Sequence, residues 1–175
     1  MPDPASKPDA DQSGLLQIDI LRENGDWGTL DDVEGLIRAA VEAAFQPAPD
    51  SAADQVIEVS ILLENDAALQ ALNKQWRNKD KPTNVLSFPA PPLPDATLAM
   101  QAARHLGDIA LSFDTLAAEA RTENKTVSDH LQHLVVHGML HLQGHDHQTP
   151  GDADEMEDLE RRILADLGIG DPYAS

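Results

Sequence analysis

The sequence predicts an α+β fold: a small mixed β-sheet of about four strands covered by about five helices, in a single domain over residues 15–173. Three observations lead there. Val56-Ile57-Glu58-Val59-Ser60-Ile61-Leu62-Leu63 is a β-branched run with period two, the pattern of a central strand. The C-terminal half instead carries apolar residues at helical spacing behind recognisable start and stop signals. Finally, 175 residues suffice for one hydrophobic core and leave little room for a second.

Taken in order, residues 1–14 are rich in Pro, Asp, Ser and Gly with almost nothing apolar. Such a segment cannot bury enough surface to offset the entropy of ordering, and it reads as a disordered tail. Residues 15–21 alternate apolar side chains with Gln17 and Asp19, a strand. Asn24-Gly25-Asp26 turns the chain, and Thr29 with Asp32 reads as a capping box opening a helix that carries Val33, Leu36, Ile37, Ala40 and Val41. A Pro- and Asp-rich connection over 46–54 leads to the central strand. Asn65-Asp66 then opens a short helix carrying Leu69, Leu72 and Trp76. Val85-Leu86-Ser87-Phe88 is a strand stopped by Pro89, which cannot donate to a ladder. Residues 89–104 read as a loop, and 107–113 as a strand with Ile109, Leu111 and Phe113 on one face. Three helices follow, over 114–122, 126–142 and 152–167. Thr126 with Asp129 and Asp152 with Glu155 are the start signals, Gly144 and Gly168 the stops. The resulting order is β-α-β-α-β-β-α-α-α.

Composition narrows the function. Hydrophobic residues make up 41% of the chain but aromatic ones only 3%, so the core is aliphatic and a broad aromatic RNA platform is disfavoured. The formal net charge of -19 repels polyanions at long range. Screening confines that field to about 8 to 10 Å, however, and four of the twelve basic residues cluster as Lys74, Arg77, Lys79 and Lys81. A phosphate can therefore be met at one face. With no cysteine, a transition metal can be held only by His, Asp or Glu. No apolar run is long enough for a membrane span or a secretory signal, so a cytoplasmic location without a membrane partner is expected.

Histidine is accordingly the residue to follow, and six of the seven lie between 130 and 147. His137 and His141, four apart on a helix, share a face and can offer two imidazoles to one ion. Gly144 permits a left-handed exit, and His147 can fold back as the third ligand, leaving a fourth position open for water. His133 with His137 is an alternative pair, and His145 a rival third ligand. His130 and His133 suit packing, hydrogen bonding or support of the ligands. Three nitrogens and an open position suit one zinc ion, although copper or nickel could bind the same set. The spacing is that of the zinc-peptidase H-E-x-x-H, but Gly138 stands where that motif has its general base, which disfavours peptidase chemistry. In the basic segment, Arg77 beside such an ion could clamp a phosphate and offset developing charge.

These segments together resemble a known family. His137-Gly138 through His147 is similar to the H-G-x-L-H-L-x-G-Y-D-H signature of the YbeY family of bacterial endoribonucleases. Leu72-Asn73, Trp76-Arg77 and Lys81-Pro82-Thr83-Asn84-Val85-Leu86-Ser87-Phe88-Pro89 resemble its second block, and Leu106-Gly107-Asp108-Ile109 a third, across residues 55–173. The resemblance implies a metal-dependent endoribonuclease specific for single-stranded RNA. It further implies a role in 3′-end maturation of small-subunit ribosomal RNA and in ribosome quality control, and the acidic surface suggests a basic partner, such as ribosomal proteins, that helps recruitment. The resemblance implies His137, His141 and His147 as zinc ligands and Arg77 as the functional arginine, and the basic island around Arg77 adds Lys79 and Lys81 as expected RNA contacts. One position departs: His145 stands where the family carries Tyr, and offers a fourth nitrogen. Two other readings share the triad, a zinc hydrolase of another substrate class and a ribosome-assembly factor with structural zinc.

Overall fold

The computed structural model describes residues 16–47, 55–91, 94 and 103–174. The tail expected over 1–14 and most of the loop expected over 89–104 lie outside the described residues. Four strands, β1 (Leu16–Arg22), β2 (Val56–Glu64), β3 (Val85–Pro89) and β4 (Ala103–Ser112), form one mixed sheet in the order β1-β2-β4-β3. The β1–β2 and β2–β4 pairs are parallel, and the edge strand β3 runs antiparallel to β4. Among the described residues five α-helices accompany them: α1 (Val33–Ala44), α2 (Asp66–Arg77), α3 (Phe113–Thr122), α4 (Val127–Leu142) and α5 (Pro150–Asp166). The expected class and element order are borne out. No helix among the described residues is long and apolar enough to cross a membrane.

The period-two pattern of β2 divides the protein into two unequal sides. Ile57, Val59, Ile61 and Leu63 join Ile109 and Leu111 of β4 in the main core, packed against Ile37 and Val41 of α1 and Leu131, Val135 and Met139 of α4. On the opposite face, Leu86 and Ala110 meet Leu69 of α2 in a much smaller cluster with Leu62, Leu72 and Phe88 at its margin. Polar side chains tie the large side together. Gln132 Nε2 donates to the Leu36 carbonyl at 2.9 Å, and Gln143 Nε2 to the Ala44 carbonyl at 2.9 Å, so two glutamines of the α4 segment occupy carbonyls of α1. On the small side, Asp66 at the start of α2 accepts from Ser112 Oγ at 2.6 Å and Thr115 Oγ1 at 2.5 Å.

Several local expectations are corrected. Thr29 does not cap α1: it closes a 3-10 turn, Trp27–Thr29, and its hydroxyl donates to the Asp26 carbonyl. The buried Trp27 holds that turn by donating from Nε1 to the carbonyls of Asn24 and Glu64, which leaves Asp32 to cap α1 by accepting from the Gly35 amide. Helix α5 begins two residues before Asp152, because Thr149 is its cap and Pro150 its first residue. Pro89 ends β3 from within, paired to Gly107 on a sheet edge, where a missing donor is tolerated. Phe113 opens α3 rather than extending β4. Trp76 is only marginally packed: burial falls from Leu69 through Leu72 to a 64% exposed indole that touches the sheet through an angled contact with Phe88.

The β2–β4 register skips Leu106, since His105 pairs with Glu58 and Gly107 with Val59. Gly107 sits at φ +147°, where a Cβ would lie 2.3 Å from the Phe88 carbonyl oxygen. Gly107→Ala is therefore expected to destabilise the fold by about 2 kcal/mol or more in urea denaturation, and an unchanged midpoint would contradict this account of the bulge.

Candidate metal centre and cleft

Helix α4 carries the site. Thr126 caps it by accepting from the Asp129 amide at 3.0 Å, and its apolar stripe is buried in the main core. Gly138 lets it lie against the sheet, since a Cβ there would meet Ile109 Cδ1 at 3.0 Å and Ser87 Oγ at 3.1 Å. The residue that stands where a peptidase has its general base is thus a packing contact, where any side chain would press on Ile109 and Ser87.

The histidine stripe of α4 is not uniform, because each ring meets a different partner. His130 Nε2 lies 2.8 Å from Glu119 Oε1, and His133 Nε2 lies 3.2 Å from Glu160 Oε2. Those two are engaged with carboxylates, in keeping with the supporting roles expected of them. His137 and His141 instead turn their Nε2 atoms toward each other, 3.0 Å apart. At the end of α4, Gly144 adopts φ +98° and the His145 amide donates back to the Leu140 carbonyl at 3.0 Å, a glycine-terminated helix end. This reversal brings the ring of His147 to 5.1 Å from that of His141 and 5.8 Å from that of His137, centroid to centroid. One nitrogen from each of His137, His141 and His147 falls within 4.8 Å of the other two. His145 is not in this convergence; it contributes its backbone carbonyl, which faces His141 Nδ1 at 3.0 Å. The His133–His137 pairing is likewise not the one that converges.

The partners of the outer nitrogens fix the chemistry of the inner ones. His137 Nδ1 lies 2.5 Å from Glu160 Oε1, and His141 Nδ1 faces a carbonyl oxygen, both groups that only accept. Each ring must therefore carry its proton on Nδ1, leaving two Nε2 lone pairs pointed at one another. Protonating His141 is no easy escape, because burial and then the neighbouring His137 lower its pKa below the ordinary value. A metal cation satisfies both lone pairs. Four nitrogens about a zinc ion with bonds near 2.05 Å lie about 3.3 Å apart, close to the separation seen here. The donor set fits a small, borderline-soft divalent ion.

Glu160, missed in the sequence, is the hub behind the convergent histidines. It projects from α5, is fully buried, and accepts from His133, His137 and the hydroxyl of Tyr173. Burial alone would raise its pKa, but the hydrogen bonds from His133, His137 and Tyr173 outweigh burial and hold it at about 2. Burial and the carboxylate in turn push the Tyr173 hydroxyl well above the usual phenol range. In a second group of ligand-type side chains, Glu119, Glu123 and His130, the carboxylates are already engaged: Glu119 Oε1 meets Asn84 Nδ2 at 2.9 Å and His130 Nε2 at 2.8 Å, and Lys125 Nζ lies 2.9 Å from Glu123.

A cleft of about 660 Å³ opens over the three histidines. Its far wall is β3 with Thr83 and Asn84 before it, and Arg77 reaches in from the end of α2. Asn78, left-handed at φ 61°, stops that helix, and the buried Asn73 holds the following turn by donating to the Lys81 carbonyl at 3.0 Å. Among the described residues the Arg77 side chain has no hydrogen bond or ion pair within the protein, so its guanidinium is free for a ligand. Lys79 and Lys81 lie on the exposed turn beyond it and do not line the cleft.

Residues 22–168 match the model of a family described as Endoribonuclease YbeY. A protein named Endoribonuclease YbeY from Chelativorans sp. (strain BNC1) is 50% identical over 93% of this chain and 96% of its own length. Another of that name, from Azorhizobium caulinodans, is 47% identical over 91% of this chain and 97% of its own. Among solved structures, the solution structure of TM1509 from Thermotoga maritima aligns with a TM-score of 0.48 and 22% identity, covering 91% of this chain and all of that one.

Glu160→Gln keeps the size of the side chain but removes the charge and one of two acceptor oxygens. Metal affinity is expected to fall about 10- to 100-fold in chelator competition, with the fold retained by circular dichroism; unchanged affinity would mean that the carboxylate does not set the tautomer of His137.

Proposed function

This chain belongs to the YbeY family of endoribonucleases, and from that premise we propose that it is a zinc-dependent, single-strand-specific endoribonuclease acting in 3′-end maturation of small-subunit ribosomal RNA and in ribosome quality control. It is a hydrolase acting on RNA, as its family membership gives. The observation that carries the finer reading is the placing of three convergent imidazoles and an unpaired guanidinium in one cleft.

In this reading His137, His141 and His147 hold the ion. Zinc bound there supplies Lewis-acid stabilisation for charge developing on phosphate oxygens. The remaining work falls to the chain itself. Arg77 binds the phosphate through its planar fork, which matches phosphate geometry better than a point charge would, and offsets the charge that builds during cleavage. Glu160 fixes the ring of His137, and the His145 carbonyl does the same for His141, so neither ring must reorganise when substrate arrives. Gly138 withholds a carboxylate base, which separates this site from a peptidase. A cleft of about 660 Å³ is the size of a small-molecule site and suits one nucleotide splayed out of a single strand, which supports the single-strand reading. Lys79 and Lys81 extend positive charge from Arg77 along the exposed turn and serve as RNA contacts outside the cleft. The strongly acidic remainder favours basic partners, and in this reading basic ribosomal proteins of the cytoplasm help to bring the RNA.

His141→Ala is expected to abolish both stoichiometric metal and RNA cleavage; cleavage that persists without metal would place catalysis elsewhere. Arg77→Ala is expected to keep the metal while losing cleavage of single-stranded RNA by about 100-fold or more, together with part of the salt dependence of RNA binding. Unchanged turnover in that variant would remove Arg77 from the mechanism, and salt-independent activity would favour a hydrolase of another substrate class.

A further inference from the structure

We propose that the exposed indole of Trp76 is a stacking site for a base of single-stranded RNA flanking the nucleotide held in the cleft. The proposal rests on the endoribonuclease reading and extends it to how substrate is gripped. Trp76 is 64% exposed, a costly state for the largest apolar side chain, and it adjoins Arg77 on the last turn of α2. Successive helical residues point about 100° apart, so one turn can present its guanidinium to the cleft and its indole to the neighbouring surface.

That surface is an apolar groove of about 860 Å³ on the thinly covered side of the sheet, with Leu62, Leu72 and Phe88 along it. Arg77, Ser87 and Pro89 line both the groove and the histidine cleft, so the two hollows adjoin across the edge strand β3. Trp76 meets Phe88 at 6.3 Å and 61°, an angled contact rather than parallel stacking. Charge selects the occupant. On a chain of net charge -19, the groove adjoins the basic cluster of Lys74, Arg77, Lys79 and Lys81, and Asp108, hydrogen-bonded to His105 at 3.2 Å, is the one carboxylate among its described lining residues. A strand whose phosphate lies on Arg77 can therefore place its next base on the adjoining indole. A stacked base is also the contact that tolerates any sequence, because every base has a π-face.

The tryptophan content makes the idea directly measurable. The only other tryptophan, Trp27, is 1% exposed and fixed by two hydrogen bonds, so an RNA-dependent change in indole emission reports on Trp76. Titrating the whole protein with a short adenine-containing single-stranded oligoribonucleotide is expected to quench emission with the same half-saturation as labelled-RNA anisotropy. Trp76→Ala should bind that RNA about tenfold more weakly, by the same factor at low and high salt, whereas Trp76→Phe recovers most of the loss. RNA that binds and is cleaved without quenching, or equal affinity in Trp76→Ala, would overturn the stacking site and assign the groove to another occupant such as a protein. Absence of both RNA binding and cleavage in the parent protein would instead overturn the endoribonuclease reading, and the stacking site with it.

Discussion

The Glu160 carboxylate is the constraint on which the site depends. It lies fully buried on α5 and holds a negative charge there only because two imidazoles and a phenol donate to it. An isolated buried carboxylate would cost several kcal/mol and would take up a proton instead. Its partners therefore have no freedom to choose tautomers: His137 must donate from Nδ1 and present a bare Nε2. The His145 carbonyl imposes the same on His141. Two lone pairs held 3.0 Å apart are unfavourable in the absence of a cation, which is the sense in which the fold prepares for a metal.

The rest of the architecture delivers side chains to that point. Helix α4 can carry histidines along one stripe because its other side is anchored in the aliphatic core and bridged to α1 by Gln132 and Gln143. Gly138 brings the helix close enough to β3 for that strand to become the opposite wall of the cleft. On the thin side of the sheet, α2 packs through Leu69 and then runs past the apolar face, which is what frees its last turn to point Arg77 at the cleft. A single helix end thus couples the two faces of the sheet.

Much of this was legible in the sequence because the signals were local. The alternation over 56–63 gives β2, and the spacing of His137, His141, Gly144 and His147 gives the convergence directly. The order of blocks around Asn73, Arg77 and Gly107 gives the family resemblance. What escaped notice depends on long-range partners. Thr29 has the spacing of a cap, but Trp27 draws its turn onto the end of β2, 37 residues away, and that tertiary bond wins. Trp76 has the spacing of an apolar stripe, but nothing local says where the sheet stops. Glu160 was findable: an acidic residue four after Met156 and three before Ile163 lies in a buried stripe, and such a charge needs a partner. The identity of that partner, 23 residues earlier on α4, belongs to the packing of α5 alone.

The most direct test of the account is the protonation pattern of the two inner rings, read by long-range 1H–15N correlation of the histidine side chains in zinc-loaded protein at neutral pH. The account predicts that His137 and His141 both carry their proton on Nδ1, with Nε2 shifted as a metal-bound nitrogen. A proton on Nε2 of either ring, or zinc that leaves both Nε2 signals unmoved, would contradict it.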